Sequence, residues 1–296
     1  MPSAMPSAPE PAQTLQSAAP YEASEPLAAL LQLGRPLVMG ILNVTPDSFS
    51  DGGRYIDPKQ AIAHAEAMVA QGADIIDIGA ESTRPYNGMQ PVSADDELAR
   101  LKPVLPAVAR LGLPISIDSL KSEVAAWALD NGATIANDVW GLQRDAHMAE
   151  VVAARGVPVI VMHNRDEADP RIDIVADVEA FFARSIAIAS EAGIGRENIV
   201  LDPGIGFGKT PEQSIITLAH TAAFGKFGLP LLVGASRKRF INAVSPAPPT
   251  ERIGGSIASH LYAVQQGAAI VRVHDVAETV QALRVLAAIE NEADHD

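Results

Sequence analysis

Asp57-Pro-Lys-Gln-Ala-Ile-Ala-His-Ala-Glu-Ala-Met-Val-Ala-Gln-Gly-Ala-Asp-Ile-Ile-Asp-Ile78 changes its period partway along. Ala61, Ile62, Ala65, Met68 and Val69 fall on one face of a helix, and Asp74–Ile78 then reads as a short, nearly continuous apolar run. Upstream stands another such run, Leu37–Leu42, so residues 37–78 read as strand, helix, strand. The unit recurs. Further apolar runs occupy Pro114–Ile117, Thr134–Ala136, Val157–Met162, Ile199–Leu201, Leu231–Val233 and Ala269–Val271, which makes eight. Helical periodicity follows each of them. In the last, Val276, Val280, Leu283 and Ala287 share a face. Runs that are apolar throughout, without alternation, suit parallel strands covered on both sides. Eight such units in about 250 residues predict a single closed (β/α)8 TIM barrel. A doubly wound open sheet is the other architecture this alternation allows.

The chain has 296 residues, of which 48% are hydrophobic and 20% charged, the balance of a globular domain. Its 36 acidic and 22 basic residues give a formal charge of -14. That excess disfavours nucleic acid or an anionic membrane as partner, because both need a basic face. There is no cysteine, so disulfides and thiolate chemistry are excluded. No apolar run approaches a membrane span. Ala, Pro and Ser supply 18 of the first 30 residues, and no Lys or Arg precedes Arg35. Residues 1–34 are therefore expected to be a disordered extension, residues 35–296 the barrel, and the location cytoplasmic.

Active sites of such barrels lie at the C-terminal ends of the strands. Here those ends are polar: Asn43, Glu81-Ser-Thr-Arg84, Asp118, Asn137-Asp138, His163-Asn164, Asp202, Ser236-Arg-Lys-Arg239 and Arg272-Val-His274. Any single one reads equally well as a helix cap or turn residue. Their recurrence at every strand argues for a site. Asp118, Asn137 and Asp202 form an acceptor-rich half suited to an aminated heteroaromatic ring. Lys238, Arg272 and His274 form a cationic half suited to phosphate or diphosphate. Gly204-Ile-Gly-Phe-Gly-Lys-Thr210 lacks the first glycine of a P-loop and the spacing of a dinucleotide fingerprint; it is better read as a glycine-rich loop letting backbone approach a flat ligand. His64, His147, His220 and His260 sit in helical patterns without metal-ligand spacing. Lys238 also permits a Schiff-base aldolase. The Pro-, Gly- and Asp-rich segments 45–53 and 82–88 read as irregular loops able to cover a substrate, and they carry Phe49 and Tyr86.

Val38-Met-Gly-Ile-Leu-Asn-Val-Thr-Pro-Asp-Ser-Phe-Ser-Asp-Gly-Gly53 resembles the first signature of the bacterial dihydropteroate synthase family. Gly79-Ala-Glu-Ser-Thr-Arg-Pro85 resembles the second, and Asp202–Lys209, Ser236-Arg-Lys238 and Arg272-Val-His274 are similar to further family motifs. The likeness spans about residues 37–289. It implies condensation of 4-aminobenzoate with 6-hydroxymethyl-7,8-dihydropterin diphosphate, releasing pyrophosphate, in a sulfonamide-sensitive step of folate biosynthesis. By the same resemblance Asp118, Asn137, Asp202 and Lys238 hold the pterin with Gly206 and Phe207. Asn43 binds Mg2+, Arg272 and His274 hold the diphosphate, Phe49 and Asp51 belong to the first loop, and Thr83 and Arg84 to the second. Asp118, Asp51, Lys238 and Arg272 are the residues implied in catalysis, with Asp118 and Asp51 facing a cation-like pterin methylene.

Two features depart from the family pattern. Arg239 stands where serine is common, and the second loop reads Arg84-Pro-Tyr-Asn-Gly88. The neighbouring function classes are a pterin-binding corrinoid methyltransferase and a silent folate-binding paralogue. The first signature disfavours the former; Asn43, Lys238, Arg272 and His274 disfavour the latter. A homodimer is expected through the last helices, where Ile257, Leu261 and Val264 exceed what a barrel-facing stripe needs.

Overall fold

A computed structural model describes residues 27–45, 57–81 and 92–293. Its strands are β1 Leu37–Asn43, β2 Ile75–Gly79, β3 Ile115–Asp118, β4 Ile135–Asp138, β5 Val159–Met162, β6 Ile199–Asp202, β7 Leu232–Val233 and β8 Ile270–Val273. Its helices are α1 Leu27–Leu31, α2 Pro58–Gln71, α3 Ala94–Leu101, α4 Leu105–Val108, α5 Ser122–Asp130, α6 Met148–Arg155, α7 Ile174–Glu191, α8 Pro211–Ala219, α9 Thr221–Phe224, α10 Arg239–Val244, α11 Ile253–Gln265 and α12 Val276–Ala293. The strands pair in parallel in the order β6-β5-β4-β3-β2-β1-β8-β7. A bridge between Leu201 and Leu231 joins the two ends, so the expected (β/α)8 barrel is present.

Local chemistry sets the elements. Asp57 caps α2 by accepting from the Lys59 N–H at 2.9 Å, and Pro58 occupies the first turn, where its missing N–H costs nothing. Gly72, at φ 95°, ends the helix in a left-handed turn that a Cβ would strain. Between the two, Ala61, Ala65 and Met68 are buried against the sheet. Successive side chains along each strand alternate between the two faces even though both faces are apolar. Val38, Leu42, Ile76, Ile78, Ile115 and Val271 face the helices, whereas Leu37, Met39, Ile75, Ile135, Ile160, Val200, Leu232 and Ile270 fill the barrel interior. Each such side chain taken fully from water contributes about 1.5–3 kcal/mol.

Asn43, Asp118, Asp138 and Asp202 stand at strand ends as expected, and they are the last residues of their strands, which run one or two residues beyond the apolar stretches. Carboxylates and amides keep the ladder's hydrogen bonds as well as any residue, so polarity does not end a strand. One expectation is corrected. The extension gives up its end to the barrel. Residues 27–31 form α1, Leu27 is only 3% exposed, and Leu27, Leu30 and Leu31 pack against the apolar interior residues at the N-terminal end of the strands. Burial of Leu27, with the partial burial of Leu30 and Leu31, outweighs the composition of the segment around them.

Candidate active site

Two residues along a strand return the side chain to the same face. The step from Ile75 leads to Asp77, from Ile135 to Asn137, from Val200 to Asp202 and from Ile270 to Arg272; on β3 the same face carries Ser116 and Asp118. An apolar layer is thus overlaid by a charged one, all of it inside the barrel and near the C-terminal strand ends.

Arg272 organises the charged layer. Its Nε donates to Asp77 Oδ2 at 2.6 Å and its Nη2 to Asp118 Oδ2 at 2.8 Å. Asn137 Nδ2 donates to Asp77 Oδ1 at 3.2 Å. Asp202 Oδ1 accepts from the Gly204 N–H at 2.8 Å. Asp118 Oδ1 is buried and has no hydrogen-bond partner among the described residues. Burial pushes Asp118 up to about 7, with Arg272 opposing and Asp77 adding to the rise. Burial likewise raises Asp202, against the pull of the Gly204 N–H. Burial works against the Arg272 charge, but Asp77 and Asp118 outweigh it and hold the guanidinium above its ordinary range. The layer therefore holds more carboxylate than its one arginine balances, and it offers an unmet acceptor to an N–H donor.

The remaining cations stand at the rim. Lys238 Nζ lies 3.9 Å from the centre of the Phe207 ring. The chain reaches Lys238 through Arg237, a non-glycine residue at φ 58°, held by the Ser256 hydroxyl on its N–H and by Asp275 on its side chain. Such a conformation costs about 1 kcal/mol or more and persists only where its surroundings fix it. Ser236 ties the β7 and β8 loops together through contacts of its hydroxyl to the His274 N–H at 3.2 Å and to Nδ1 at 2.9 Å. Arg239, the first residue of α10, is exposed.

The predicted residues Asp118, Asn137, Asp202, Gly206, Phe207, Lys238, Arg272 and His274 thus fall at the strand ends and in the loops after them. Phe49 and Asp51 of the first loop, and Thr83, Arg84 and Tyr86 of the second, lie outside the described residues. The division into an acceptor half and a cationic half does not hold for Arg272. Its side chain crosses the interior from β8 to β2 and β3 and is bound to the acidic residues themselves. Asp77 is the residue that sequence reasoning missed. It is fully buried in β2, and its place inside an isoleucine run made it look like one more strand residue, yet an acid at the inward register of that run was the available signal. Of the four histidines read as helical, His64 and His260 lie in α2 and α11 while His147 and His220 flank helices; His260 is buried, accepts from the Ala235 N–H at 3.2 Å and is pushed by burial down to about 4.

Asn43 closes β1 opposite Gly79, half-buried and at the inward register of Leu37, Met39 and Ile41. Among the described residues no three His, Asp or Glu side chains gather into a cage. A single amide oxygen beside an acidic layer fits an ion such as Mg2+, which keeps waters and takes most of its ligands from substrate phosphates. A cavity of about 1090 Å³ opens next to the site between the β4 and β5 loops, but none of the inward carboxylates lines it. Its Arg144, Arg165 and Arg171 are paired with Asp166, Asp177 and Asp169.

The sequence model described as "Pterin binding enzyme" matches residues 39–274. The chain is 45% identical to the dihydropteroate synthase of Bacillus subtilis over 89% of its own length and 92% of that protein's. It is similar to a dihydropteroate synthase from Clostridium difficile solved in the presence of pteroic acid, at TM-score 0.82 and 47% identity, covering 86% of this chain and 97% of that one. A Xanthomonas albilineans dihydropteroate synthase solved with 4-aminobenzoic acid matches at TM-score 0.83 and 43% identity, over 87% and 94% of the two chains.

Proposed function

The chain belongs to the family of pterin binding enzymes, and from that premise we infer that it acts as a dihydropteroate synthase, joining 6-hydroxymethyl-7,8-dihydropterin diphosphate to 4-aminobenzoate with release of pyrophosphate. The observation that carries the reading is the inward layer of Asp77, Asp118, Asn137 and Asp202, with its unmet acceptor on Asp118. A pterin presents a row of N–H donors, and few other metabolites would satisfy so many buried acceptors at once. Solved relatives with pteroic acid and with 4-aminobenzoic acid support both halves of the substrate pair.

In this reading Asp118, Asn137 and Asp202 accept from the ring, and Phe207 and Lys238 close over it. As diphosphate leaves, positive charge develops on the pterin methylene, and the buried carboxylate of Asp118 stabilises it in a low-dielectric setting. Lys238 and His274 face the departing anion from the rim. Arg272 orients Asp118 and favours its ionised form against burial, so its role includes the ring as well as the diphosphate. Mg2+, when bound, would neutralise charge on the diphosphate, with Asn43 as its ligand from this chain. Asp51 and Phe49, with Thr83 and Arg84, are assigned to the substrate loops by family likeness.

A homodimer belongs to the same reading; of Ile257, Leu261 and Val264 on α11, the last two are partly buried against the main core. Exposed apolar residues among those described include Ile215 and Ile216 on α8, Val244 on α10, Tyr262 on α11, and Val285 and Ile289 on α12, on helices packed in the series α10, α8, α11, α12. We place the dimer there, and light scattering that returns a monomer at micromolar concentration would refute it. For the activity itself, pyrophosphate should appear when the purified protein is mixed with both substrates and Mg2+, and not when either is omitted. No release under these conditions would overturn the assignment.

A further inference from the structure

Beneath the loop that carries Phe207 lies a buried polar chain that the reaction does not use. Lys209 is 2% exposed and His163 is 0% exposed. Lys209 Nζ contacts Gly204 O at 2.9 Å, Phe207 O at 3.2 Å and His163 Nδ1 at 2.6 Å. His163 Nε2 contacts Asp177 Oδ2 at 3.0 Å, and Arg165 Nη1 donates to the same oxygen at 2.9 Å. An ammonium has three hydrogens, and here it meets three acceptors. Nδ1 must then be bare, and the imidazole proton sits on Nε2, donating to Asp177. A neutral amine accepting from an Nδ1–H of a neutral ring would leave a bare Nε2 against a carboxylate. Lysine is also the more basic of the two groups. Burial pushes Lys209 well below the usual lysine range, with Lys238 and Arg165 adding to the fall and Asp202 and Asp177 opposing it, so the ammonium depends on the three acceptors that surround it.

The loop is fitted to this chain. Gly204 has φ 64°, and a Cβ there would meet His163 O at 1.9 Å; one on Gly208 would meet Arg165 Cβ at 2.4 Å. The two carbonyls that Lys209 holds flank Ile205 and Gly206, and the second belongs to Phe207, whose ring carries Lys238. Gly204 also gives its N–H to Asp202.

We propose that Lys209 is a positioning residue of the pterin site: its ammonium, oriented by His163 and Asp177, fixes the Gly204–Phe207 turn and through it the Phe207 ring and the Asp202 carboxylate. The proposal rests on the pterin reading above and makes Lys209 a determinant of affinity for the ring, with 4-aminobenzoate recognition left alone.

The test uses the full chain. Calorimetric titration with 6-hydroxymethylpterin shows first whether the wild-type protein binds a pterin; if it does not, the functional reading fails before any variant is made. Lys209→Met should then weaken pterin binding about tenfold, the scale of a lost charged hydrogen bond, and raise KM for the pterin diphosphate while KM for 4-aminobenzoate stays within about twofold. His163 offers a second route if that variant does not fold. His163→Asn keeps an acceptor near the Nδ1 position and should bind pterin nearly as the wild type does, whereas His163→Leu strands the ammonium and should not. Nitrogen-15 spectra of the wild-type protein should show His163 as the Nε2–H tautomer, and Lys209→Met should move its titration upward from about 4. A folded Lys209→Met with unchanged pterin affinity overturns the proposal. So does an equal loss for both substrates, or equal binding by the two His163 variants.

Discussion

Replacing Asp77 with Asn removes one negative charge from the barrel interior and leaves the volume almost unchanged. Asp77 is fully buried and accepts from Arg272 Nε at 2.6 Å and from Asn137 Nδ2 at 3.2 Å. Breaking a buried ion pair at one partner costs about 3–5 kcal/mol. Arg272 keeps Asp118, so the lower end, about 3 kcal/mol, is expected. At about 2–4 °C per kcal/mol for a chain of this size, the melting midpoint should fall by about 6–12 °C. The loss should also depend on pH. In the wild-type protein Asp118 is raised from 3.8 to about 7, by burial first and with Asp77 contributing. A raised acid stabilises the fold fully below its unfolded value, and that contribution fades as pH rises through the folded one. Without Asp77 the Asp118 carboxylate has Arg272 to itself, its proton affinity falls, and the fading shrinks. The gap between wild type and Asp77→Asn should therefore be wide at pH 5.5 and narrow at pH 8. Scanning calorimetry across that range is the assay. A shift below about 2 °C, or a gap that widens with pH, would refute the account of Arg272 as the shared partner of two buried acids.

Other outcomes follow from the same geometry. Pterin N–H groups favour the ionised form of Asp118, so binding should tighten from pH 6 to pH 8 and release a proton. Calorimetry in buffers of different ionisation enthalpy reads that release directly, and an identical heat in all of them would contradict it. Deleting residues 1–31 should cost at least about 2 kcal/mol more than deleting residues 1–26, because only the longer deletion removes Leu27 and its helix from the barrel floor; chemical denaturation of the two truncations gives the difference. Phe182 is fully buried on α7 and meets Phe224 and Phe227 edge-on at 5.8 Å each. Phe182→Ala should destabilise by about 3–5 kcal/mol, and a midpoint within error of wild type would mean the cluster is not part of the cooperative core.

The barrel was legible because buried parallel strands betray themselves as unbroken apolar runs, and eight of them leave few architectures. Most of the site was legible for a related reason. Polar residues after an apolar run must be accommodated at a strand end, which is where Asn43, Asp118, Asn137 and Asp202 stand. What stayed hidden depends on partners that no local pattern announces. Asp77 takes its meaning from Arg272 at the far end of the chain. Lys209 looked like the remnant of a failed phosphate loop until His163, just beyond the end of β5, supplied an acceptor. The three leucines of α1 were submerged in a stretch of Ala, Pro and Ser, since composition averages over residues that packing treats one by one. Leu261 and Val264 looked surplus only because the width of the core they meet is a property of the assembled barrel.

The pairing of β1 with β8 has a consequence in time. Leu37 aligns with Ile270 and Gly40 with Val273, so the first strand to leave the ribosome can be completed only by the last. The floor beneath α1 also draws on Val200, Leu232 and Ile270, which emerge late in synthesis. At roughly 5–20 residues per second, the early strands wait on the order of ten seconds or more with one edge unpaired and one face uncovered. Closure is then a single late event, which makes the nascent chain, and not the finished enzyme, the form most exposed to misassembly.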